Sequence, residues 1–412
     1  MKRDLKINNK MQQKVRWLYV LLGIIIMMFL GTVYSYSVFR IPLEEEFQIG
    51  STESGLPYMT SLAFYAIFMF LTGKYIEKYD PRMIILTGGL LVAVGWIMSS
   101  FATNIIMLTI TYGCIGGAGV GIAYGAPMNV VAKWFPEKKG FAVGMVLIGF
   151  GLSPLITAPL ARVLVESFGV MQTFLILGVC LSVLLPIVAF PLSYPRQIDI
   201  KQVEYDRGKV DETLNVQVYE MIRMRTFKGI YLNFVIGTMI GLMLIGSTVN
   251  IGVDYVGMDS KIVTQFMALF AIFNGLGRPI FGWVTDKLKP QKAMFLSYAL
   301  ILASSVLMLL WGKGNEIIFV ISFSMFWFNL GGWLAIAPAS TLKLFGIKYY
   351  TQNYGLIFTA YGFGAITGVS TTGGLLDATG NYDSIFYYVL ILCILGIFLT
   401  TKFMRDNISK GV

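Results

Sequence analysis

One arginine lies well inside an apolar stretch of this sequence. Arg278 occurs in Asn274-Gly-Leu-Gly-Arg278-Pro279, whereas all 22 Asp and Glu residues lie outside such stretches or at their ends. If the stretch crosses a membrane, a charged residue within the hydrocarbon core indicates a substrate pathway, because burying a charge there is costly. With no acidic partner there, we expect the counter-ion to be an anionic substrate, since a guanidinium binds a carboxylate through two parallel hydrogen bonds. The alternative is that Arg278 extends to the membrane interface near Asp286, about 12 Å along a helix.

Other residues that could do chemistry point away from catalysis. The sequence contains no histidine, and Cys114, Cys180 and Cys393 lie in apolar stretches without the spacing of metal ligands. The G-x-G-x-G pattern from Gly117 to Gly121 follows no predicted strand, so it favours close helix packing over nucleotide binding. We therefore expect no metal, no cofactor and no enzymatic activity.

The composition indicates an integral membrane protein. Of the 412 residues, 56% are hydrophobic and only 13% are charged, about half the charge of a soluble domain. About 20 apolar residues are needed to cross a bilayer as a helix, and the stretches are too unbroken for barrel strands. Twelve stretches qualify: 17–39, 55–74, 83–102, 105–132, 140–165, 171–193, 227–252, 262–283, 292–312, 316–341, 351–376 and 384–403.

The distribution of positive charge predicts the topology. All but five of the 32 basic residues fall in the two tails and in the loops that follow even-numbered stretches. The positive-inside rule therefore places both termini in the cytoplasm, and the net charge of +10 reflects topology rather than nucleic-acid binding. The predicted organisation is a tail (1–16), an N-terminal bundle (17–193), a central cytoplasmic loop (194–226), a C-terminal bundle (227–403) and a tail (404–412).

A similar loop occurs twice, once in each predicted half. Each copy has a glycine, an acid four residues later, a base next and another base in the following turn. The small glycine would permit close helix approach, and the acid and bases could form a latch that opens during gating; the alternative is an ordinary tight turn. The residues concerned are Gly73, Glu77, Lys78, Arg82, Gly282, Asp286, Lys287 and Lys292.

Twelve spans with this doubled loop resemble the major facilitator superfamily. The resemblance implies an all-α membrane protein with two pseudo-symmetric six-helix bundles and a substrate site near the midplane between them. It also implies a transporter that works by alternating access, with the lipid bilayer and a small solute as its partners. The short termini and the resemblance suggest the bacterial cytoplasmic membrane and function as a monomer.

Further motifs resemble the oxalate:formate antiporter family within that superfamily. The resemblance extends from the first to the eleventh stretch. The motifs are Tyr34-Ser-Tyr36-Ser37 before Pro42, the glycine-rich run with Tyr124 and Pro127, Lys133-Trp134-Phe135-Pro136, the Arg278 segment, Gly282-Trp283, and Asn353-Tyr354-Gly355-Leu356 with Thr359-Ala360.

By this resemblance Arg278 binds a substrate carboxylate, and Tyr34 and Tyr124 line the cavity. The oxalate transporter has a lysine after the Thr-Ala pair, where this chain has Tyr361. One cation and a phenol suit a monocarboxylate such as formate, lactate or pyruvate better than a dicarboxylate. Related proton-coupled carriers have an Asp at the position of Asn274, which cannot titrate, so we expect anion exchange or uniport.

Some assignments stay open. Tyr36, Asn329 and Trp333 could line the cavity, although Trp327 and Trp333 do not share one helix face, so at least one of the two tryptophans packs elsewhere. The alternative functions are a proton-coupled monocarboxylate symporter, an exporter of amphipathic drugs, which the 14% aromatic content would suit, and a nutrient sensor built on a transporter fold.

Overall fold

The chain folds into long helices, and successive helices are antiparallel. The computed structural model describes residues 2–73, 75–76, 78–135, 139–195, 215–346 and 349–404, and these contain no strand. The twelve long helices are α1 (Lys2–Leu30), α2 (Leu56–Thr72), α3 (Pro81–Ser99), α4 (Ile105–Trp134), α5 (Lys139–Phe168), α6 (Val170–Ala189), α7 (Arg225–Gly246), α8 (Ser260–Leu288), α9 (Pro290–Trp311), α10 (Glu316–Phe345), α11 (Tyr350–Thr379) and α12 (Asp383–Phe403).

The helices agree with the predicted spans to within a few residues at most boundaries. Among the described residues, eleven helices are long and apolar enough to cross a membrane. The remaining one, α11, has 30 residues but is rich in Gly, Ser and Thr, which lowers its hydropathy. Several helix starts are fixed by side-chain caps, because Asp80, Asn104, Asp259 and Asn315 each accept a hydrogen bond from a backbone N–H in the first turn.

The first helix is longer and less regular than predicted. It begins at Lys2, inside the predicted tail, and ends at Leu30, where a 3₁₀ turn (Gly31–Ser35) leads into a further helix (Ser37–Phe47). Helix α5 packs against the break: Ser153 Oγ donates to Met28 O at 2.6 Å. Hydroxyl groups of this kind satisfy backbone carbonyls that a break exposes within a membrane.

Helix α7 is broken in a similar way. It ends at Gly246, Ser247 leaves the helical region with ψ near 13°, and short helical segments continue from Thr248 to Tyr255. The sequence predicted an uninterrupted span over 227–252, because the residues on both sides of the break are apolar. The predicted central loop also contains a short helix, Val218–Arg223, and its residues 196–214 lie outside the described part of the chain.

The glycines of α4 hold this helix close to its neighbours, as predicted. An added Cβ at Gly119 would lie 2.6 Å from Val92 N of α3, and one at Gly121 would lie 2.8 Å from Phe68 Cβ of α2. A side chain at either position would therefore push the helices apart. This packing fixes the position of the turn that carries Tyr124.

The helices form two six-helix bundles, α1–α6 and α7–α12. The bundles meet mainly along α5 with α8 and along α2 with α11. At the first interface an added Cβ at Gly151 would lie 3.2 Å from Gly275 Cα, so the helices are almost in backbone contact. We call the end of the molecule at which α1 begins and α12 ends the terminal face, and the other end the opposite face.

Candidate functional site

Arg278 is buried between the two halves rather than extended toward a surface. Its side chain lies on α8, the residue is only 3% exposed, and Nη1 donates to the carbonyl oxygen of Leu147 on α5 at 2.5 Å. Its guanidinium carbon lies 5.9 Å from the centre of the Phe150 ring. The arginine therefore reaches across from one bundle to the other.

The rest of the guanidinium forms no hydrogen bond of normal geometry among the described residues, although the Tyr124 hydroxyl lies close enough to interact with it. Nε and Nη2 are buried and have no hydrogen-bond partner among the described residues, and no carboxylate of those residues forms an ion pair with Arg278. These two nitrogens form one edge of the guanidinium, and their N–H bonds are parallel. An unpaired charged donor in a buried site is costly. That edge matches the spacing of the two oxygens of a carboxylate.

Two tyrosines from opposite halves meet beside the arginine. The 3₁₀ turn after α1 presents Tyr34, whose hydroxyl is hydrogen-bonded to that of Tyr361 on α11 at 2.9 Å. Both side chains are fully buried, and Tyr34 lies within electrostatic range of Arg278. The break in α1 and the middle of α11 thus close the space between the halves at the depth of the arginine.

Aromatic rings enclose this point. Tyr124 of α4, also within electrostatic range of Arg278, has its ring centre 5.0 Å from that of Tyr65 and 5.4 Å from that of Phe150. The ring centre of Tyr361 lies 5.0 Å from that of Phe358. We call the following six residues the aromatic cage: Tyr34, Tyr65, Tyr124, Phe150, Phe358 and Tyr361.

Sequence reasoning missed three members of the cage. Tyr65 was detectable in principle: Tyr58 and Tyr65 are seven residues apart on α2 and so lie on one helix face, and both are buried. Phe150 and Phe358 had no such signal, because phenylalanines in apolar spans are more often in contact with lipid or packed in the core.

Four of the predicted site residues do not join the cage directly. Tyr36 stacks on Tyr58 at 5.7 Å and donates to Ser54 O at 3.0 Å, closer to the opposite face. Asn274 lies one turn from Arg278, but its Nδ2 donates to Trp327 O at 2.9 Å, which ties α8 to α10. Its Oδ1 has no partner among the described residues.

The other two residues lie on α10. Asn329 is buried, and its Nδ2 donates to Met325 O of the preceding turn at 2.8 Å. Trp333 packs against Gly237 of α7 and has its ring centre 5.3 Å from that of Tyr298 of α9. Trp333 therefore contacts helices of its own half.

The doubled loops lie on the terminal face, and the glycines do not act as predicted. An added Cβ at Gly282 would meet only Ala335 Cβ at 4.0 Å, and one at Gly73 would meet only carbonyls of its own chain three and four residues earlier. Close helix approach therefore does not explain these two glycines. The tight contacts occur instead within the membrane-spanning part of α4.

Described contacts of these loops stay within one half. Arg82 Nε donates to Leu192 O, which follows α6, at 2.7 Å. Lys343 Nζ of α10 donates to the carbonyl oxygen of Asp286 at 3.1 Å. Lys78 lies over the Tyr75 ring, Lys287 and Lys292 are exposed, and Glu77 lies outside the described residues.

Comparisons with known proteins agree with this architecture. The family model of the Major Facilitator Superfamily matches residues 20–368 and also residues 230–410. The chain is 27% identical over 367 residues to the oxalate:formate antiporter of Oxalobacter formigenes, covering 87% of this chain and 84% of that protein. It is 25% identical over 339 residues to monocarboxylate transporter 12-B of Danio rerio, covering 76% and 70%.

A solved structure has the same fold. The bacterial homolog of the human lysosomal transporter Spinster, in an inward-facing and occupied conformation, matches with a TM-score of 0.72 over 94% of this chain and 96% of its own. Its sequence identity is 12%, so the likeness concerns the fold alone. The family match spans most of the chain, and this protein is a membrane transporter of the Major Facilitator Superfamily.

Proposed function

We propose that this transporter carries small carboxylate anions, chiefly monocarboxylates such as formate, lactate or pyruvate, and exchanges one for another by alternating access. The observation that carries the proposal is the unpaired Nε–Nη2 edge of Arg278, buried between the halves. A bound carboxylate would fill that edge with two charge-assisted hydrogen bonds. The names of the two relatives above, an oxalate:formate antiporter and a monocarboxylate transporter, support the same class of solute.

The cage favours one carboxylate over two. Near Arg278, the groups contributed by α1 and α11 are the hydroxyls of Tyr34 and Tyr361, which are neutral donors. One guanidinium balances one negative charge, whereas a dicarboxylate would leave a second charge facing phenol and phenyl rings at a large desolvation cost. We therefore place monocarboxylates ahead of oxalate.

Anion exchange is favoured over proton symport by the surroundings of Arg278. The residue one turn before it is Asn274, an amide that donates to Trp327 O and does not titrate. A symporter that used a carboxylate as proton carrier would need an acid at this depth. Exchange needs none, because the returning anion compensates the charge of Arg278 during the conformational change.

The charge distribution supports a terminal face in the cytoplasm, since most basic residues lie on that side, and we place the protein in a bacterial cytoplasmic membrane. The site is built from both halves of one chain, so a monomer suffices for transport. In each cycle, the two bundles would rock about the cage and expose Arg278 to one face at a time.

Counterflow in proteoliposomes tests this function. Vesicles are loaded with unlabelled formate, lactate, pyruvate or oxalate, and uptake of the same labelled anion is followed with and without a pH gradient. We expect uptake of a monocarboxylate that requires an internal anion and does not respond to the gradient. Uptake driven by the gradient without internal anion would establish proton coupling and overturn the exchange proposal. The absence of carboxylate uptake in all arms would overturn the assignment of the substrate.

A further inference from the structure

A second buried arginine lies nearer the opposite face, and its hydrogen bonds are complete. Arg40 follows the break in α1 and is 2% exposed. All three nitrogens of its guanidinium donate hydrogen bonds, and Glu44 lies 3.9 Å away. Arg278 has an unpaired edge and Arg40 has none, so the two arginines have different roles. Arg40, whose guanidinium nitrogens all donate hydrogen bonds to the protein, is suited to hold protein segments together.

The bonds of Arg40 divide between the two halves. Nε donates to Ser54 Oγ at 3.1 Å, and Nη2 donates to the carbonyl and hydroxyl oxygens of Ser51. Those partners belong to the N-terminal half. Nη1 instead donates to Gly246 O at 3.0 Å and to Ser247 Oγ at 2.8 Å, both in the C-terminal half.

The acceptors of Nη1 lie at the break in α7. Gly246 is the last residue of that helix, and the terminal carbonyls of a helix lack helical donors. A cation at a helix C-terminus also interacts favourably with the helix dipole. Arg40, placed by the break in α1, therefore caps the break in α7, and the two irregular helices meet through one guanidinium group.

Further contacts join the halves on the same face. Thr52 is hydrogen-bonded to Asp377, Arg162 Nη1 donates to Ser260 Oγ at 2.8 Å, and Ser370 Oγ lies 3.0 Å from Met59 Sδ. These three contacts are exposed or only partly buried, whereas the guanidinium of Arg40 is buried, where charge-assisted hydrogen bonds are stronger. Arg40 is thus the strongest of these described links between the halves on this face.

We propose that Arg40 is the gating residue of the opposite face: its Nη1 holds the halves closed there, and opening breaks its bonds to Gly246 and Ser247. The bonds to Ser51 and Ser54 would persist, so the arginine would move with the N-terminal half. This inference rests on the alternating-access part of the proposed function and does not depend on which anion is carried.

Hydrogen–deuterium exchange of the purified protein, read by mass spectrometry without substrate, tests the gate. Ser247→Ala removes one bond of Arg40 to the C-terminal half. The control Ser54→Ala removes the bonds of the Ser54 hydroxyl to Arg40, Glu44 and Ser51, all within the N-terminal half. For Ser247→Ala we expect faster exchange over 246–258, by about tenfold, which is the effect of losing a hydrogen bond to a charged group. Ser54→Ala should change the same segment far less, and helix ends at the terminal face should exchange no faster in either variant, because opening of the opposite face closes the terminal face.

Arg40→Gln should have a larger effect in the same direction, and Ser247→Ala carries the test if Arg40→Gln does not fold. Equal rates of hydrogen–deuterium exchange over 246–258 in Ser247→Ala and in the unaltered protein would overturn the proposal. So would an equal increase in Ser54→Ala, because Arg40 would then be a structural residue only. If carboxylate counterflow fails while Ser247→Ala still speeds hydrogen–deuterium exchange, the proposed substrate is wrong and the proposed gate stands. The failure of the proposed function and the failure of the gate are therefore distinguishable.

Discussion

Hydrogen-bond saturation separates the two buried arginines where burial alone does not. Arg278 and Arg40 are both almost inaccessible, yet only Arg278 keeps two donors without a partner among the described residues. A buried charge is stable only if it is paired. The unfilled edge of Arg278 therefore indicates a site for an anion, and the filled Arg40 indicates a link between protein segments.

Substitution of Tyr361 tests the predicted preference for monocarboxylates over dicarboxylates. Tyr361→Lys adds a second cation beside the hydroxyl of Tyr34, so we expect preference for oxalate over formate to rise by about tenfold or more, as for one added charge-assisted hydrogen bond. Competition by each unlabelled anion against labelled substrate in proteoliposomes measures the ratio. The control Tyr361→Phe removes only the hydroxyl and should create no dicarboxylate preference. An unchanged ratio in Tyr361→Lys would mean that Tyr361 does not contact the substrate.

Sequence alone identified Arg278 and several aromatic residues but not Arg40. Arg278 was conspicuous because its charge interrupts an apolar stretch. Arg40 comes directly after the first predicted span, which ends at residue 39, so hydropathy gives no reason to expect it inside the bundle. The structure continues that segment as a helix to Phe47. The partners of Arg40 Nη1 lie more than 200 positions away in the chain, which no local pattern reveals.

At the scale of elements, helix positions were predictable and helix breaks were not. Hydropathy located all twelve long helices, because crossing a bilayer demands about 20 apolar residues. The breaks at Gly31–Ser35 and Ser247 contain no proline and no charge, so hydropathy continues through them. They are stabilised by contacts from other helices, such as Ser153 with Met28 O and Arg40 with Gly246 O, and are therefore a property of the assembled bundle.

The packing of α4 predicts a difference between two glycines. Gly119→Ala would place a Cβ 2.6 Å from Val92 N and 2.9 Å from Leu91 Cβ, so α3 and α4 must separate. We expect a loss of stability of about 1–3 kcal/mol, as for overpacking elsewhere. Gly144→Ala on α5 is the matched control, since an added Cβ there meets nothing within 4 Å. Thermal unfolding in one detergent compares the two variants, and equal midpoints would contradict the role given to the α4 glycines.

At the scale of the whole molecule, the site and the proposed gate share the irregular segment that follows α1. The break in α1 presents Tyr34 to the site, and Arg40 follows six residues later. Its partner α7 is in the other half and is broken at Ser247. A movement of one half against the other would therefore alter the gate and the cage together, which is the coupling that alternating access requires.

Ligand-dependent thermal stabilisation of the purified protein tests the central claim, that Arg278 binds the carboxylate. A ligand at about 100 times its Kd stabilises a folded protein by about 2.7 kcal/mol. We predict that formate, lactate or pyruvate raises the unfolding midpoint of the unaltered protein and of the control Arg162→Gln, whose arginine is paired with Glu166 at the opposite face. Arg278→Gln should fold, because it removes a buried charge that has no carboxylate partner among the described residues, but its midpoint should not respond to any of the three anions. An equal response in Arg278→Gln would contradict the account and place the carboxylate elsewhere.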